Sequence, residues 1–157
     1  MQHAVENRFL GIVAARAVIA EGLGRFMARG YLQAAMAVCA LVASADGEIG
    51  LEERYAIDAA MQRDPLLDRF TPAQAVSVLD EQLFRLRQDP AVTREALLHI
   101  IERVGRRPDR AVALMRLAWS VIAADDQVRR AELIEFETLC DVLEIDCESI
   151  RASVLSV

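Results

Sequence analysis

Two pairs of carboxylates in this chain are spaced for chemistry. Asp46 and Glu53 stand seven residues apart, and so do Asp125 and Glu132. Each pair follows an apolar run, through Ala-Asp-Gly-Glu-Ile at 45–49 and Ala-Asp-Asp-Gln-Val at 124–128. Hard divalent cations take carboxylate and carbonyl oxygens, and a loop with an Asp at its start and a Glu beyond it can chelate from two sides. Glu48, Glu52 and Asp126 flank the pairs. If the two loops converge, their carboxylates repel one another unless an ion or protons neutralise them. An oxygen-only ligand set suits calcium or magnesium better than zinc, because His3 and His99 are the only imidazoles and neither is near the acids. A calcium hand of the EF type does not fit, since the twelfth position counted from Asp46 is Ile57 rather than a bidentate Glu.

The same residues have a purely local explanation. Asp46 can accept hydrogen bonds from the amides of Gly47 and Glu48 in an Asx-type turn. With Gly50 as N-cap, Glu53 falls at the third helical position, where its carboxylate reaches back to the cap amide and meets the positive end of the helix dipole. Cation site and hairpin chemistry therefore compete for one set of side chains.

The elements that must carry these acids are all helical. Val5, Phe9, Ile12, Val13, Arg16, Ile19, Leu23, Phe26 and Met27 fall in helical register over 4–28, with Gly22 and Gly24 marking a weak point where a break is expected. This segment is expected to close the bundle, or else to lie on a membrane or a partner helix. A second helix over 31–45 is rich in Ala and apolar nearly all round, which places it at the centre of a bundle. Gly47 and Gly50 bracket a loop, a helix follows from about Leu51 to Met61, and Asp64-Pro65 ends it. Thr71-Pro72-Ala73-Gln74 and Asp89-Pro90 are helix starts of the cap-then-proline kind. Further helices are expected up to Gly105, over 108–124 and over 130–143, with Asp146 capping a short last one. The prediction is an all-α bundle of about seven to eight helices, with residues 1–30 an N-terminal amphipathic extension and 31–157 the main domain.

The two acidic segments are also copies of each other. At a constant offset of 79 and without a gap, Met36 meets Met115, Ala45 meets Ala124, Asp46 meets Asp125, Ile49 meets Val128 and Glu53 meets Glu132. Each copy reads as an apolar helix, an Asp, a tight loop with one inward aliphatic, and a Glu on the first turn of the next helix. A pseudo-twofold arrangement of two such hairpins would bring both loops to one end of the bundle.

The patterns A-D-G-E-I-x-x-x-E and A-D-D-x-V-x-x-x-E resemble the tellurite-resistance TerB family, related to the N-terminal domain of DjlA-type membrane co-chaperones. The resemblance covers about residues 31–143, and the second copy departs from it where Asp126 stands in place of a glycine. It implies a compact bundle of roughly seven helices and a non-enzymatic role in tellurite resistance and wider stress response. It also implies divalent-metal binding at acidic positions and association with membrane-bound TerC-type partners. Carried onto this sequence, the metal candidates are Asp46, Glu48, Glu53, Asp125, Asp126 and Glu132. The alternative is a metal-free helical module for protein interaction or oligomerisation, homo-oligomers included.

Bulk properties narrow the field. At 157 residues with 54% hydrophobic and 27% charged residues, the chain can bury one real core. A net charge of −6 argues against nucleic-acid binding, which needs a basic footprint. All 18 basic residues are Arg, so lysine Schiff-base chemistry has no donor. Cys39, Cys140 and Cys147 are odd in number and widely spaced, which reads as inert, partly buried thiols in a reducing compartment rather than disulfides or a zinc site. No Ser-His-Asp or Cys-His set, phosphate-cradling glycine loop or H-E-x-x-H is present. The uncharged run from Tyr31 to Ala45 falls short of the ~20 residues a membrane span needs, and Arg16 breaks the apolar stretch before it. A cytoplasmic protein is expected, with peripheral contact at the inner face of the membrane as the alternative. His99 and Trp119 read as structural, and Arg103, Arg106, Arg107 and Arg110 as a solvated basic cluster.

Overall fold

In the computed structural model, the backbone is described for residues 2–45 and 49–155 and the side chains for 16–45 and 49–154. Among the described residues there are seven helices: α1 (Gln2–Ser44), α2 (Leu51–Arg63), α3 (Pro72–Gln88), α4 (Pro90–Gly105), α5 (Pro108–Ile122), α6 (Arg130–Val142) and α7 (Cys147–Leu155). No strand occurs among them.

The starts follow the cap chemistry of the sequence. Thr71 accepts from the Gln74 amide while the Gln74 side chain accepts from the Thr71 amide at 2.8 Å, a reciprocal capping box. Asp89 accepts from the Val92 amide ahead of Pro90, and Asp146 from the amides of Glu148 and Ser149. Asp64 ends α2 in extended backbone before Pro65.

The expected break near Gly22 and Gly24 is absent. One helix of 43 residues runs from Gln2 to Ser44 and merges the two helices anticipated there. A Cβ placed on Gly22, Gly24 or Gly30 would meet nothing within 4 Å, so no packing forces a turn at these glycines. Nor do residues 16–27 close the bundle: every one of them is exposed, whereas Ala28, Tyr31 and Leu32 are buried and residues 34–43 nearly all reach zero exposure. The stretch Arg16–Ser44 is long and apolar enough to cross a membrane by length and composition, but 72% of its most apolar window lies inside the bundle. Burial on that scale is what a central core helix requires.

The second half of α1 forms the hub, packed by α3, α4, α5 and α6. Its partner at the centre is α5, which buries Leu114, Met115, Ala118, Val121 and Ile122. The two hairpins are interleaved: α2 packs on α5, and α6 packs on α1. The outer helices of the hairpins also bury equivalent residues, Glu53, Ile57 and Met61 in α2 and Glu132, Phe136 and Cys140 in α6, each pair 79 positions apart. The repeat seen in the sequence is thus a repeat of packing.

The direction of the hub helices decides where the acids go. Arg110 at the start of α5 lies over the ring of Tyr31 in α1, and the Tyr31 hydroxyl donates to Asp64 at the end of α2, 2.6 Å away. From that meeting point α5 does not run back along residues 16–27 of α1, which are exposed. It runs forward beside residues 31–44, flanked by α2. Helices α1 and α5 therefore point the same way, and both acidic junctions leave the same end of the bundle.

Candidate functional site at the acidic junctions

Each junction is built around a buried glutamate. Glu53 is 4% exposed and Glu132 1%, and burying a carboxylate is costly unless it is hydrogen-bonded or paired. At the third position of α2, the Glu53 carboxylate accepts from the Gly50 amide. At the third position of α6, the Glu132 carboxylate accepts from the Arg129 amide at 2.8 Å. Each satisfies an amide at its helix start and places negative charge at the positive end of the dipole. The cap role expected for Glu53 is present, and it is duplicated in Glu132.

The second junction carries its own cation. Asp125 accepts from the Gln127 amide at 3.0 Å, closing the Asx-type turn, and its other oxygen lies 3.3 Å from the Arg129 guanidinium. The same guanidinium stands 3.6 Å from Glu132. Arg129 thus spans the Asp and the Glu of the repeat. Asp126 has φ 58°, the left-handed region that Gly adopts at no cost and Asp tolerates better than most residues. That requirement accounts for Asp126 standing where the first copy has Gly47. Val128 is 42% exposed, which corrects the expectation of an inward aliphatic in both loops; only its counterpart Ile49 packs against the core.

The first junction differs at one decisive position. Gly50 is the counterpart of Arg129, so this position itself brings no guanidinium. A Cβ on Gly50 would sit 3.5 Å from a Glu53 oxygen and 3.6 Å from a Glu52 oxygen, so two carboxylates crowd this glycine. Asp46 and Glu48 lie outside the described residues. Among the described residues no group of three or more His, Cys, Asp or Glu side chains gathers as a metal cluster.

Several side chains set aside as structural are indeed so. Trp119 is 8% exposed and meets Phe136 with ring centres 5.2 Å apart. Arg151 caps both rings and pairs with Glu137 and Glu148. His99 is exposed on the rim of a 710 Å³ groove with Val92 and Glu95, remote in sequence from both junctions. The basic cluster is partly engaged: Arg107 pairs with Asp109 at 3.3 Å and Arg110 stacks on Tyr31. Burial pushes the Cys39 thiol far above its ordinary range. The Cys140 thiol rises with it, first through burial and then through its hydrogen bond with Cys147. Sequence reasoning missed Arg129 and the Tyr31–Asp64–Arg110 contact, although the 79-residue offset already set Gly50 against Arg129.

The family model for the tellurite resistance protein TerB matches residues 32–153. The chain belongs to the TerB family. As a member of that family it is an all-α stress-response module. Its match begins at the point where α1 enters the bundle, and it covers both acidic junctions. No curated protein and no solved structure matches the chain.

Proposed function

We propose that this TerB-family module binds a divalent cation at its acidic end and docks partner proteins, membrane-bound TerC-type proteins among them. The observation that carries the reading is the common direction of α1 and α5, which directs both acidic junctions to one end. The ligand set consists of Asp46, Glu48 and Glu53 at the first junction and Asp125, Asp126 and Glu132 at the second. The two are unequal. Arg129 lies between Asp125 and Glu132 at the second, and Gly50 stands at the matching position of the first. Calcium or magnesium enters at the first junction, because its acids offer the oxygen donors that hard cations take. The partner-docking half rests on family membership, which points to a binding module rather than a catalyst.

Calorimetric titration of the full chain with calcium, magnesium and manganese tests the cation. Saturable heat, lost in an Asp46→Ala/Asp125→Ala variant that still folds, is the expected result; absence of heat with all three ions removes the claim.

A second reading has its own support. Glu53 and Glu132 serve as helix caps, and Asp125 is occupied by an amide and a guanidinium. On that reading the module binds no ion and the acids only build hairpins. The double variant would then lose about 1 kcal/mol per turn hydrogen bond removed, and a chelator would leave the thermal melt unchanged.

A further inference from the structure

Helices α6 and α7 form an antiparallel hairpin whose turn sets two thiols against each other. The chain leaves α6 through a Schellman turn. The Ile145 amide donates to the Cys140 carbonyl at 2.9 Å and the Glu144 amide to the Asp141 carbonyl at 3.1 Å, with Glu144 left-handed at φ 54°. Past the turn, Arg151 fixes the register: its guanidinium lies 5.7 Å from the centre of the Phe136 ring and pairs with Glu137 at 3.1 Å. Cys140 stands one helical turn after Phe136, and Cys147 one turn before Arg151. The two cysteines therefore oppose each other one step nearer the turn than Phe136 and Arg151 do. Cys140 belongs to the core and Cys147 packs against it, with the two thiols hydrogen-bonded and Cys147 partly open to solvent. The third cysteine, Cys39, is buried in α1 and stands outside this pair.

We propose that Cys140 and Cys147 are a modification site, a dithiol that a hydroperoxide oxidises to an internal disulfide tying α6 to α7. Cys147 reacts first, because it is the thiol that solvent reaches. Its sulfur attacks one peroxide oxygen, the O–O bond breaks, and the other oxygen leaves as an alcohol, or as water from hydrogen peroxide, with the thiol proton. Cys147 is then a sulfenic acid. The Cys140 sulfur attacks the Cys147 sulfur, the S–O bond breaks, and water departs with the Cys140 proton. Two thiols and one hydroperoxide thus give a disulfide, an alcohol and water, and a small dithiol reverses the change by exchange. A sulfenic acid beside a second thiol condenses with it instead of climbing to sulfinic acid. Burial holds the proton on Cys140, with the Arg151 charge acting against it, so Cys140 serves as the second, slower partner. A disulfide needs its sulfurs about 2.05 Å apart, closer than a hydrogen bond brings them. Cys147 can make that move, since it opens the first turn of α7, a nine-residue helix that rests chiefly on α5 rather than on α6.

Peptide mapping of the full chain tests the proposal. The native protein is treated with hydrogen peroxide, alkylated in denaturant, and digested with trypsin. Cleavage after Arg130 and Arg151 leaves Cys140 and Cys147 on one peptide, and cleavage after Arg29 and Arg54 leaves Cys39 on another. The expected result is a 131–151 peptide two hydrogens lighter and unalkylated, beside a Cys39 peptide that is alkylated in full. Dithiothreitol before alkylation should restore two alkyl groups to the 131–151 peptide. Cys147→Ser should abolish the lighter peptide, and Cys140→Ala should carry Cys147 on to sulfinic acid. The wild-type map decides even where Cys140→Ala fails to fold. Sulfinic acid on wild-type Cys147 without the lighter peptide overturns the proposal. So does a pair left fully alkylatable after excess peroxide, or a disulfide that joins two chains through Cys147.

Discussion

Tyr31 and Arg110 occupy equivalent positions in the two halves of the chain, 79 residues apart, and they touch: the guanidinium lies 5.9 Å from the centre of the phenol ring. Equivalent residues in contact mark the place where the pseudo-symmetric halves meet. From this contact α1 and α5 set out together toward the acidic junctions, while the Tyr31 hydroxyl ties the far end of α2 to the same point through Asp64.

Tyr31→Phe should remove that tie and little else. A hydrogen bond to a charged acceptor is worth about 1.5–3 kcal/mol, and a loss of that order in chemical denaturation is the expected outcome. The phenol is also a pH probe. Burial, followed by the bond to Asp64 and the charge of Asp64, raises its pKa above the free value of 10. The folded state therefore holds this proton more tightly than the unfolded state. The resulting stability is complete below pH 10 and declines as pH rises past it. Melts between pH 8 and 11 should show an alkaline loss in the wild type that is smaller in Tyr31→Phe.

Arg129 should act as the resident cation of its junction. Arg129→Gln keeps the backbone amide that caps α6 but withdraws the charge between Asp125 and Glu132. Calcium titration of this variant should reveal a second binding event absent from the wild type. The reciprocal change, Gly50→Arg, should weaken binding at the first junction by tenfold or more, because a guanidinium placed beside Glu52 and Glu53 competes with the ion. Unchanged stoichiometry in both variants would separate the acids from cation binding.

Asp126 sits at φ 58°. Asp126→Val should cost about 1–2 kcal/mol, since a β-branched residue clashes in the left-handed region. Asp126→Gly should be neutral or slightly stabilising, its easier backbone offset by the greater entropy it loses on folding. Urea titration of the three proteins gives the order.

The thiols should react in an order set by burial. Cys39 and Cys140 are buried and Cys147 is partly open at the start of α7. A thiolate is the nucleophile, and burial withholds it from the first two. A chromogenic disulfide reagent should react first at Cys147 in the native protein and with all three thiols after denaturation.

Most of the bundle could be read from local chemistry. Thr71, Asp89 and Asp146 announced their helices because a capping side chain acts within four residues of itself. The acidic repeat was equally visible, since a gapless offset needs only the order of residues, and Glu53 as a cap follows from its position after Gly50. The failures came where distant contacts decide. Gly22 and Gly24 suggested a break that the long helix α1 does not make, because glycine lowers helix propensity without forbidding the helix. Val128 was expected inward from its likeness to Ile49, yet its loop leaves it open to solvent.

What the amino-acid order determined by itself was periodicity, caps and duplication, properties that each rest on neighbours within a turn or on counting along the chain. What only the tertiary structure decided was direction and company. It set α5 beside the buried half of α1, turned both junctions to one end, and placed the Arg129 guanidinium between two carboxylates. It also left Ile19, Leu23 and Phe26 facing outward. Those outcomes depend on how helices pack against helices far away in sequence, a choice governed by the shape of the whole core rather than by any single segment.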